Sequence, residues 1–220
     1  ITVANTMGSF IDRYVQENGI TPGDKIDLSF GDMMRRYLEE SKKVIEGDPF
    51  GKKTVRYLTD EEIGEDGLVA FNHALDIIDK TDWSGMPVSP IDYIKNKIQK
   101  AGFSIGEITG RTPALDYSKK YPVYQPRVQA DIKPQGRVKT INRFNSGETD
   151  AVIINQAGST GLSLHASKDF ANQDPRVMII GQAEKNIDTH MQILGRVNRT
   201  GQVVLPSYEQ LVADIPAEMR

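Results

Sequence analysis

The sequence predicts an α/β protein in which helices cover a parallel sheet. Short apolar runs alternate along the chain with longer segments whose apolar residues recur at helical spacing. The clearest short runs are Ala151–Ile154 and Val177–Ile180, which have the length and composition of buried strands. Strands that alternate with helices in this way pack as a parallel sheet with helices on its faces.

Length and composition are those of a globular protein. The 220 residues, 38% of them apolar, are enough for one large domain or for a domain with an insertion. No apolar run approaches the roughly 20 residues that cross a bilayer, and no signal-peptide pattern is present, so we expect no membrane contact. The lack of cysteine excludes disulfides and thiolate metal sites in this chain and is consistent with an intracellular location, cytoplasmic or, in a eukaryote, nuclear.

The first third of the chain predicts one strand followed by an insertion. Ile1–Ala4 is expected to be a strand that turns into a helix near Phe10. Two amphipathic patterns then predict helices over residues 30–47 and 60–80, so that residues 20–85 form a helical insertion. Trp83, the only tryptophan, suits either packing or stacking on a base.

The remainder predicts a return to alternating elements. The expected elements are a helix over 91–100, a strand over 103–108, a Pro- and Tyr-containing surface loop or hairpin over 112–135, a helix over 136–144, and edge strands over 203–205 and 209–215.

Charge is distributed unevenly along the chain. Residues 1–110 carry 13 Lys/Arg and 19 Asp/Glu, whereas residues 111–220 carry 14 and 11. Within the second half, Asp116 and Asp131 are outnumbered by Arg111, Lys119, Lys120, Arg127, Lys133, Arg137, Lys139 and Arg143. This strip is a candidate for phosphate contacts, and a solvated surface is the alternative. The tyrosines among these lysines suit either base stacking or anchoring of a loop.

Residues 192–202 carry two arginines that we expect on one face of a helix. At about 100° per residue, the outward side would carry Gln192, Gly195, Arg196 and Arg199, and the buried side Met191, Ile193, Leu194 and Val197. Asp188 occupies a cap or first-turn position, and Gly201 follows the expected end. Two guanidiniums on one side suit a polyphosphate, although a solvated basic face has the same pattern.

The loop Asn155–Ala166, directly after the strand 151–154, is rich in glycine and hydroxyl residues. Such a loop places backbone N–H groups and hydroxyls at the carboxyl edge of the sheet, where open α/β folds bind ligands. An ordinary strand-to-helix turn has a similar composition.

In this order, the loop and the arginine segment resemble motifs V and VI of superfamily 2 helicases and translocases. The loop is similar to the Swi/Snf-type pattern of glycines before Gly-Leu-x-Leu, and residues 192–202 are similar to Gln-x-x-x-Arg-x-x-Arg-x-Gly-Gln. Residues 1–10, 86–92 and 108–111 resemble the C-terminal helicase domain of the strawberry notch family. Together these stretches extend over nearly the whole chain.

The resemblance implies the second RecA-like lobe of an ATP-dependent helicase or translocase. ATP and Mg²⁺ would be held mainly by a preceding RecA-like lobe, because this chain has no Gly-x-x-x-x-Gly-Lys-Ser/Thr loop and no Asp-Glu pair after an apolar strand. We therefore expect a fragment of a longer polypeptide, inactive alone, that works with its own first lobe and with nucleic acid, of which DNA is the expected kind. The insertion would contact DNA, a partner or the other lobe.

The resemblance also assigns roles to individual residues. Arg199 would be the arginine finger and Arg196 its companion, and Gln192 would orient the arginines or the nucleotide. Nucleotide contacts are expected from Gly161, Ser163 and Gly195, and nucleic-acid contacts from Thr6, Arg111, Gly158, Ser159 and Thr160. Asn155 and Ser163 depart from the Ser/Thr and Asp/Asn common at those places, although both still form hydrogen bonds. No metal site is predicted, because the three histidines are far apart in the sequence.

Two other classes of function stay open. A RecA-like lobe without catalysis would dock nucleic acid or a protein partner. A nucleotide-dependent enzyme acting on a small molecule would use a Rossmann-like sheet, but the sequence lacks that glycine fingerprint and any acid/base cluster.

Overall fold

The computed structural model describes residues 1–3, 6–47, 53–155, 161–182, 184 and 186–212. The chain divides into two compact units, one of them Asp27–Val88 and the other composed of Ile1–Ile26 and the chain from Ser89 onward. In the described part of the chain, no helix is both long and apolar enough to cross a membrane.

The described residues form helices and strands in alternation. The helices are α1 (Gly8–Glu17), α2 (Phe30–Glu40), α3 (Asp60–Lys80), α4 (Pro90–Lys100), α5 (Gln129–Ile132), α6 (Pro134–Asn145) and α7 (Ile187–Leu194). The strands are β1 (Lys43–Gly47), β2 (Lys53–Tyr57), β3 (Ile105–Ile108), β4 (Leu115–Asp116), β5 (Val123–Tyr124), β6 (Ala151–Ile154), β7 (Val177–Ile180) and β8 (Ser207–Gln210).

The larger unit is built on a parallel sheet whose middle position is taken by the first residues of the chain. β3 pairs in parallel with β6, and β7 pairs in parallel with β8. Thr2 forms parallel bridges to both Ile154 and Ile180 and so joins the two pairs, giving the order β3, β6, residues 1–3, β7, β8. The backbone N–H of Thr2 donates to the Ile179 carbonyl at 2.8 Å, and that of Val3 to the Ile154 carbonyl at 3.1 Å. This arrangement confirms the predicted parallel α/β fold.

Apolar side chains of the sheet and of the segments after β6 and β7 form the core of this unit. Its buried members are Ile108, Val152, Ile154, Leu164, Met178, Ile180, Ile193 and Val197. Burial of one such side chain stabilises a protein by about 1.5–3 kcal/mol. Because Ile193 and Val197 belong to this core, α7 and the turn after it are fixed against the sheet.

A buried cluster of charges joins β3, α4 and the hairpin formed by β4 and β5. The Arg111 side chain is only 1% exposed and forms an ion pair with Asp92 on α4 and another with Glu107 on β3. Its Nε donates to Glu107 Oε1 at 2.7 Å, and its NH1 to Asp92 Oδ2 at 2.7 Å. Asp92 also accepts from the backbone N–H of Leu115 on β4 at 2.8 Å. The cluster therefore sets the positions of three elements at once.

Two further cations complete the surroundings of Glu107. Lys95 Nζ lies 3.0 Å from Glu107 Oε2, and Arg127 NH1 lies 3.2 Å from Glu107 Oε1. Burial raises the pKa of Glu107, but the hydrogen bonds and charge of Arg111, with the charges of Lys95 and Arg127, outweigh it and hold the pKa far below its ordinary value. Glu107 is therefore a buried carboxylate kept ionised by its neighbours.

The smaller unit contains α2, an antiparallel pair of strands and α3. Capping boxes of Ser29 with Asp32 and of Thr59 with Glu62 begin the two helices. The predicted helix over 60–80 is confirmed, with a bend at Gly64, where φ is +76°. The predicted continuation of the preceding helix to residue 47 is wrong. α2 ends at Glu40, and the β-branched residues that follow it pair as β1 with β2 instead.

Trp83 is a packing residue in this unit. Its indole Nε1 donates to the Ile78 carbonyl at 2.8 Å, and its ring centroid lies 5.6 Å from that of Phe30. Gly31 lies against the ring. A Cβ at that position would be 2.5 Å from Trp83 Cδ1, so the close approach requires glycine. Of the two uses that the sequence left open for Trp83, packing is the one that these contacts support.

The C-terminal segment differs in part from the prediction. Residues 203–205 do not form a strand, since the backbone there continues the turn that follows the arginine segment. The strand predicted over 209–215 begins earlier, as Ser207–Gln210. Its residues 213–215, like Ala4 at the end of the first predicted strand, lie outside the described residues.

The first prediction concerns the charge cluster. Arg111→Met removes the guanidinium and leaves Asp92 and Glu107 as buried carboxylates with fewer positive charges near them. This change is expected to lower the free energy of unfolding by about 3–5 kcal/mol at neutral pH. Urea unfolding followed by circular dichroism measures this. Arg143→Met, at an arginine whose side chain is 52% exposed, is the matched control and should change it by under about 0.5 kcal/mol. A loss below about 1 kcal/mol for Arg111→Met would contradict the structural role of the cluster.

A second prediction is the pH dependence of stability. Because the pKa of folded Glu107 lies below its ordinary value of 4.5, its contribution is complete above about pH 4.5 and is lost as the pH falls below that value. Glu107→Gln should therefore reduce the slope of unfolding free energy against pH in the acid range by up to about 1.4 kcal/mol per pH unit. Glu148→Gln, at an exposed carboxylate, should leave the slope nearly unchanged. Equal slopes for the wild type and Glu107→Gln would show that Glu107 is not held ionised.

Candidate nucleotide and nucleic-acid site

The segment after β6 and the segment after α7 lie side by side. The Leu164 N–H donates to the Arg196 carbonyl at 2.9 Å, and the Val203 N–H donates to the Ala166 carbonyl at 2.8 Å. Between these contacts, Ser167 forms an antiparallel bridge with Gln202. The two stretches that the sequence singled out are thus fixed in one register by backbone hydrogen bonds.

Helix α7 begins as expected but ends early. Asn186 caps it by accepting from the Thr189 N–H at 3.0 Å, and Asp188 lies in the first turn, where a carboxylate is favoured by the helix dipole. The predicted helix through both arginines is wrong, because α7 ends at Leu194 with Gly195 as its C-cap. A turn follows that buries Val197 in the core, and burial of this side chain takes the place of further helical turns.

Arg199 is brought to the segment after β6 by this turn. Its NH1 donates to the Ser163 hydroxyl at 2.7 Å, and its Nε donates to the Gly195 carbonyl at 3.2 Å. The backbone N–H of Arg199 donates to Gln202 Oε1 at 2.9 Å. The side chain is exposed, and its NH2 forms no hydrogen bond within the described part of the chain.

Arg196 has a different environment. It is half-buried, its NH1 lies 3.5 Å from the Leu162 carbonyl, and its buried Nε has no partner among the described residues. Burial, and after it the charge of Arg199, lowers the pKa of Arg196. Two guanidiniums this close to each other, one of them incompletely paired, are stabilised by an anion with several oxygens. The site is therefore chemically suited to a polyphosphate.

Asn145 is a site residue that the sequence reasoning missed. It ends α6, is 5% exposed, and donates from Nδ2 to the Ser163 carbonyl at 3.2 Å. Ser163 is thus held through its carbonyl by Asn145 while its hydroxyl accepts from Arg199. The sequence offered one signal for this residue. Asn145 is polar and directly follows the apolar pattern of the predicted helix 136–144, but it was interpreted as part of the turn that ends the helix.

His165 is packed behind the same segment. Its ring meets that of Phe170 edge-on at 5.9 Å. Burial, then the charges of Arg199 and Arg176, lowers the pKa of His165. The neutral imidazole therefore adds no positive charge beside the arginines at neutral pH.

The other predicted contacts are placed as follows. Gln192 is exposed on the last turn of α7, and Gly161 is exposed with a φ of +77°, a conformation that glycine adopts without strain. The Thr6 hydroxyl lies at the start of α1, 3.4 Å from the Gly8 N–H. The predicted contacts that lie outside the described residues are Gly158, Ser159 and Thr160.

The prediction for Arg111 needs correction. An arginine directly after β3 was expected to be exposed, with nucleic acid as its candidate contact. Its side chain is instead buried, and the contacts to Asp92, Glu107 and the Pro113 carbonyl occupy Nε, NH1 and NH2. Arg127, another member of the basic strip, donates to the carbonyls of residues 107, 109 and 111. These two arginines therefore stabilise the fold and leave the strip of exposed cations shorter than predicted.

The donors at the arginine site do not form a metal centre. Within the described ranges there is no group of three or more histidine and carboxylate side chains that could hold a metal ion. The chemistry of Arg196, Arg199 and Ser163 fits the phosphate oxygens of a nucleotide.

The comparison with protein families identifies the class of the protein. The parallel sheet covered by helices is compatible with a RecA-like α/β fold. A family model described as the C-terminal domain on strawberry notch homologue matches residues 89–220, which is more than half of the chain. The chain belongs to this family, as a helicase C-terminal domain.

Curated relatives agree with this assignment. Protein strawberry notch of Drosophila melanogaster is 32% identical over 53% of this chain, and Protein FORGETTER 1 of Arabidopsis thaliana is 30% identical over 61%. Protein strawberry notch homolog 1 of Rattus norvegicus is 25% identical over 99% of this chain. The chain spans only 7%, 11% and 17% of the length of these three proteins, respectively. The rat protein extends the similarity to residues before 89.

Proposed function

We propose that this chain is the second RecA-like lobe of an ATP-driven helicase or translocase and that it supplies the arginine finger. The observation that supports this most strongly is the exposed Arg199 guanidinium, which is held by hydrogen bonds to Ser163 and Gly195 and has an NH2 group without a partner among the described residues. In a helicase C-terminal domain, the expected ligand for such a group is the γ-phosphate of ATP.

The chemical requirement is stabilisation of charge. As the γ-phosphoryl group is transferred to water, negative charge spreads over its oxygens, and a fixed guanidinium nearby lowers the energy of that state. Arg199 meets the requirement of being fixed, because two of its three nitrogens are already bonded within the protein. Arg196, less exposed and only weakly bonded, would act as its companion, and Gln192 would orient the arginines or the nucleotide.

The proposed site is shared between two lobes. ATP and Mg²⁺ would be held mainly by a preceding lobe, and Gly161, Ser163 and Gly195 of this chain would contribute nucleotide contacts. Nucleic acid, of which DNA is the expected kind, would meet Thr6 and residues 158–160. The 220 residues alone are then expected to hydrolyse no ATP, because the phosphate loop is absent from their sequence.

The third prediction tests the arginine finger in the full-length protein. Arg199→Ala is expected to lower the kcat of nucleic-acid-stimulated ATP hydrolysis by about a hundredfold or more, while ATP still binds. Rates come from phosphate release and binding from a fluorescent ATP analogue. Lys100→Ala, at an exposed lysine at the end of α4, is the control and should keep the wild-type rate.

Two results would contradict the proposal. If the full-length protein hydrolyses no ATP, or if Arg199→Ala changes nothing, the lobe is a non-catalytic module that docks nucleic acid or a protein. Activity from the 220 residues alone would contradict a site shared between two lobes.

A fourth prediction concerns the contacts that hold Arg199. Ser163→Ala removes the hydroxyl beside NH1, and Asn145→Ala removes the donor to the Ser163 carbonyl, so each is expected to lower kcat by about fivefold to tenfold with little change in KM for ATP. In an Arg199→Ala background, both substitutions should have less than about a twofold effect, because they act through that guanidinium. Asn142→Ala, at an exposed asparagine on the same helix, is the matched control. Equal losses in both backgrounds would show that Asn145 and Ser163 do not act through Arg199.

A further inference from the structure

The hairpin formed by β4 and β5 carries three tyrosines in different environments. The Tyr117 hydroxyl accepts from the Ser89 N–H at 3.1 Å, and its ring lies edge-on to that of Tyr93. Tyr124 is 8% exposed, and its backbone N–H donates to the Asp24 carbonyl at 2.8 Å. Tyr121, in the turn between the strands, is 49% exposed. Two tyrosines anchor the hairpin, and the third is displayed by it.

Lysine side chains surround the displayed ring. The Nζ of Lys25 lies 4.7 Å from the Tyr121 ring centroid, and that of Lys120 lies 5.4 Å from it. Both distances fall within the range of cation–π contacts. Lys119, next in the turn, is also exposed. Lys25 is held near the hairpin because residue 25 bridges to Val123.

The carboxylates of Asp24 and Asp116, near these lysines, accept hydrogen bonds from other residues. Asp24 accepts hydrogen bonds from both the backbone N–H and the hydroxyl of Thr21 at 2.7 Å, and Asp116 accepts from the Ser118 N–H at 2.7 Å. These hydrogen bonds lower the pKa of both carboxyl groups, and the charge of Lys119 adds to the shift at Asp116.

We propose that Tyr121, Lys25, Lys119 and Lys120 form a contact for single-stranded nucleic acid, named here the hairpin tip. An unpaired base stacks on an exposed aromatic ring, where it would take the place of the ammonium groups that lie over Tyr121, and those ammonium groups neutralise the flanking phosphates. A duplex exposes phosphates and the edges of its bases but hides the base faces in the stack, so the ring favours a single strand. An acidic protein segment would use the lysines without needing the ring. The proposal rests on the nucleic-acid part of the proposed function, but it uses different residues from the loop after β6.

The test is binding of a fluorescein-labelled oligothymidine to the full-length protein without ATP, measured by anisotropy at several salt concentrations. Tyr121→Ala should weaken binding by about 5- to 100-fold with an unchanged salt dependence, because stacking of a base is worth about 1–3 kcal/mol and carries no charge. Tyr121→Phe keeps the ring and should stay within about twofold of the wild type.

Substitution of the lysines, in contrast, should change the salt dependence of binding. Together, Lys119→Ala and Lys120→Ala should reduce the slope of log affinity against log salt by about 1.4, since each phosphate contact on a single strand contributes about 0.7. Lys100→Ala, at an exposed lysine on α4, is the control and should leave the slope unchanged. Affinity for a duplex of the same length should be insensitive to Tyr121→Ala.

The proposal is overturned if Tyr121→Ala leaves oligothymidine affinity unchanged, if Tyr121→Phe weakens binding as much as Tyr121→Ala, or if the wild type binds no oligothymidine. ATP hydrolysis, measured separately on the same variants, distinguishes this result from failure of the motor model. If ATP hydrolysis depends on Arg199 but oligothymidine binding does not depend on Tyr121, only the hairpin-tip proposal fails. If the protein hydrolyses no ATP but the Tyr121 and lysine variants change binding as expected, the hairpin-tip proposal stands and the motor model fails.

Discussion

Backbone hydrogen bonds of residues 1–3 hold the parallel sheet together. Thr2 bridges to Ile154 and Ile180, so without these residues β6 and β7 would have no partner between them. The two segments that carry the candidate site follow these two strands in the chain. Their approach to each other, and with it the hydrogen bond between Arg199 and Ser163, therefore depends on a strand contributed from far away in the sequence.

Packing and chemistry are interleaved at the site. Ile193 and Val197 are buried in the core, whereas Arg196 and Arg199, two or three residues away, point their polar ends toward the segment after β6. A chain that buries every third or fourth side chain while turning has little freedom to move the residues between. The core thus orients the guanidiniums before any ligand is present, which would lower the reorganisation needed in the proposed ATP hydrolysis.

The sequence was informative where the pattern is local and failed where distant residues compete. The strand 151–154 and the helix over 60–80 follow from periodicity and capping residues that lie within the segment itself. The helix expected through Arg199 ends at Leu194, and Val197 in the turn after it packs into the core. The position of that core follows from the assembled sheet and not from the local sequence. Arg111 was expected at the surface because Glu107, four positions earlier, does not by itself indicate burial, and its other partner, Asp92, lies nineteen positions earlier.

The buried cluster around Arg111 also has a consequence for the history of this domain. Its members come from α4, β3 and the segment between β3 and the hairpin, and a change to one of them leaves the others with fewer counter-charges. Each single replacement is therefore expected to cost stability, so we expect positions 92, 107 and 111 to change together or not at all. Across diverging lineages, such a trio acts as a fixed point around which the exposed loops are free to vary.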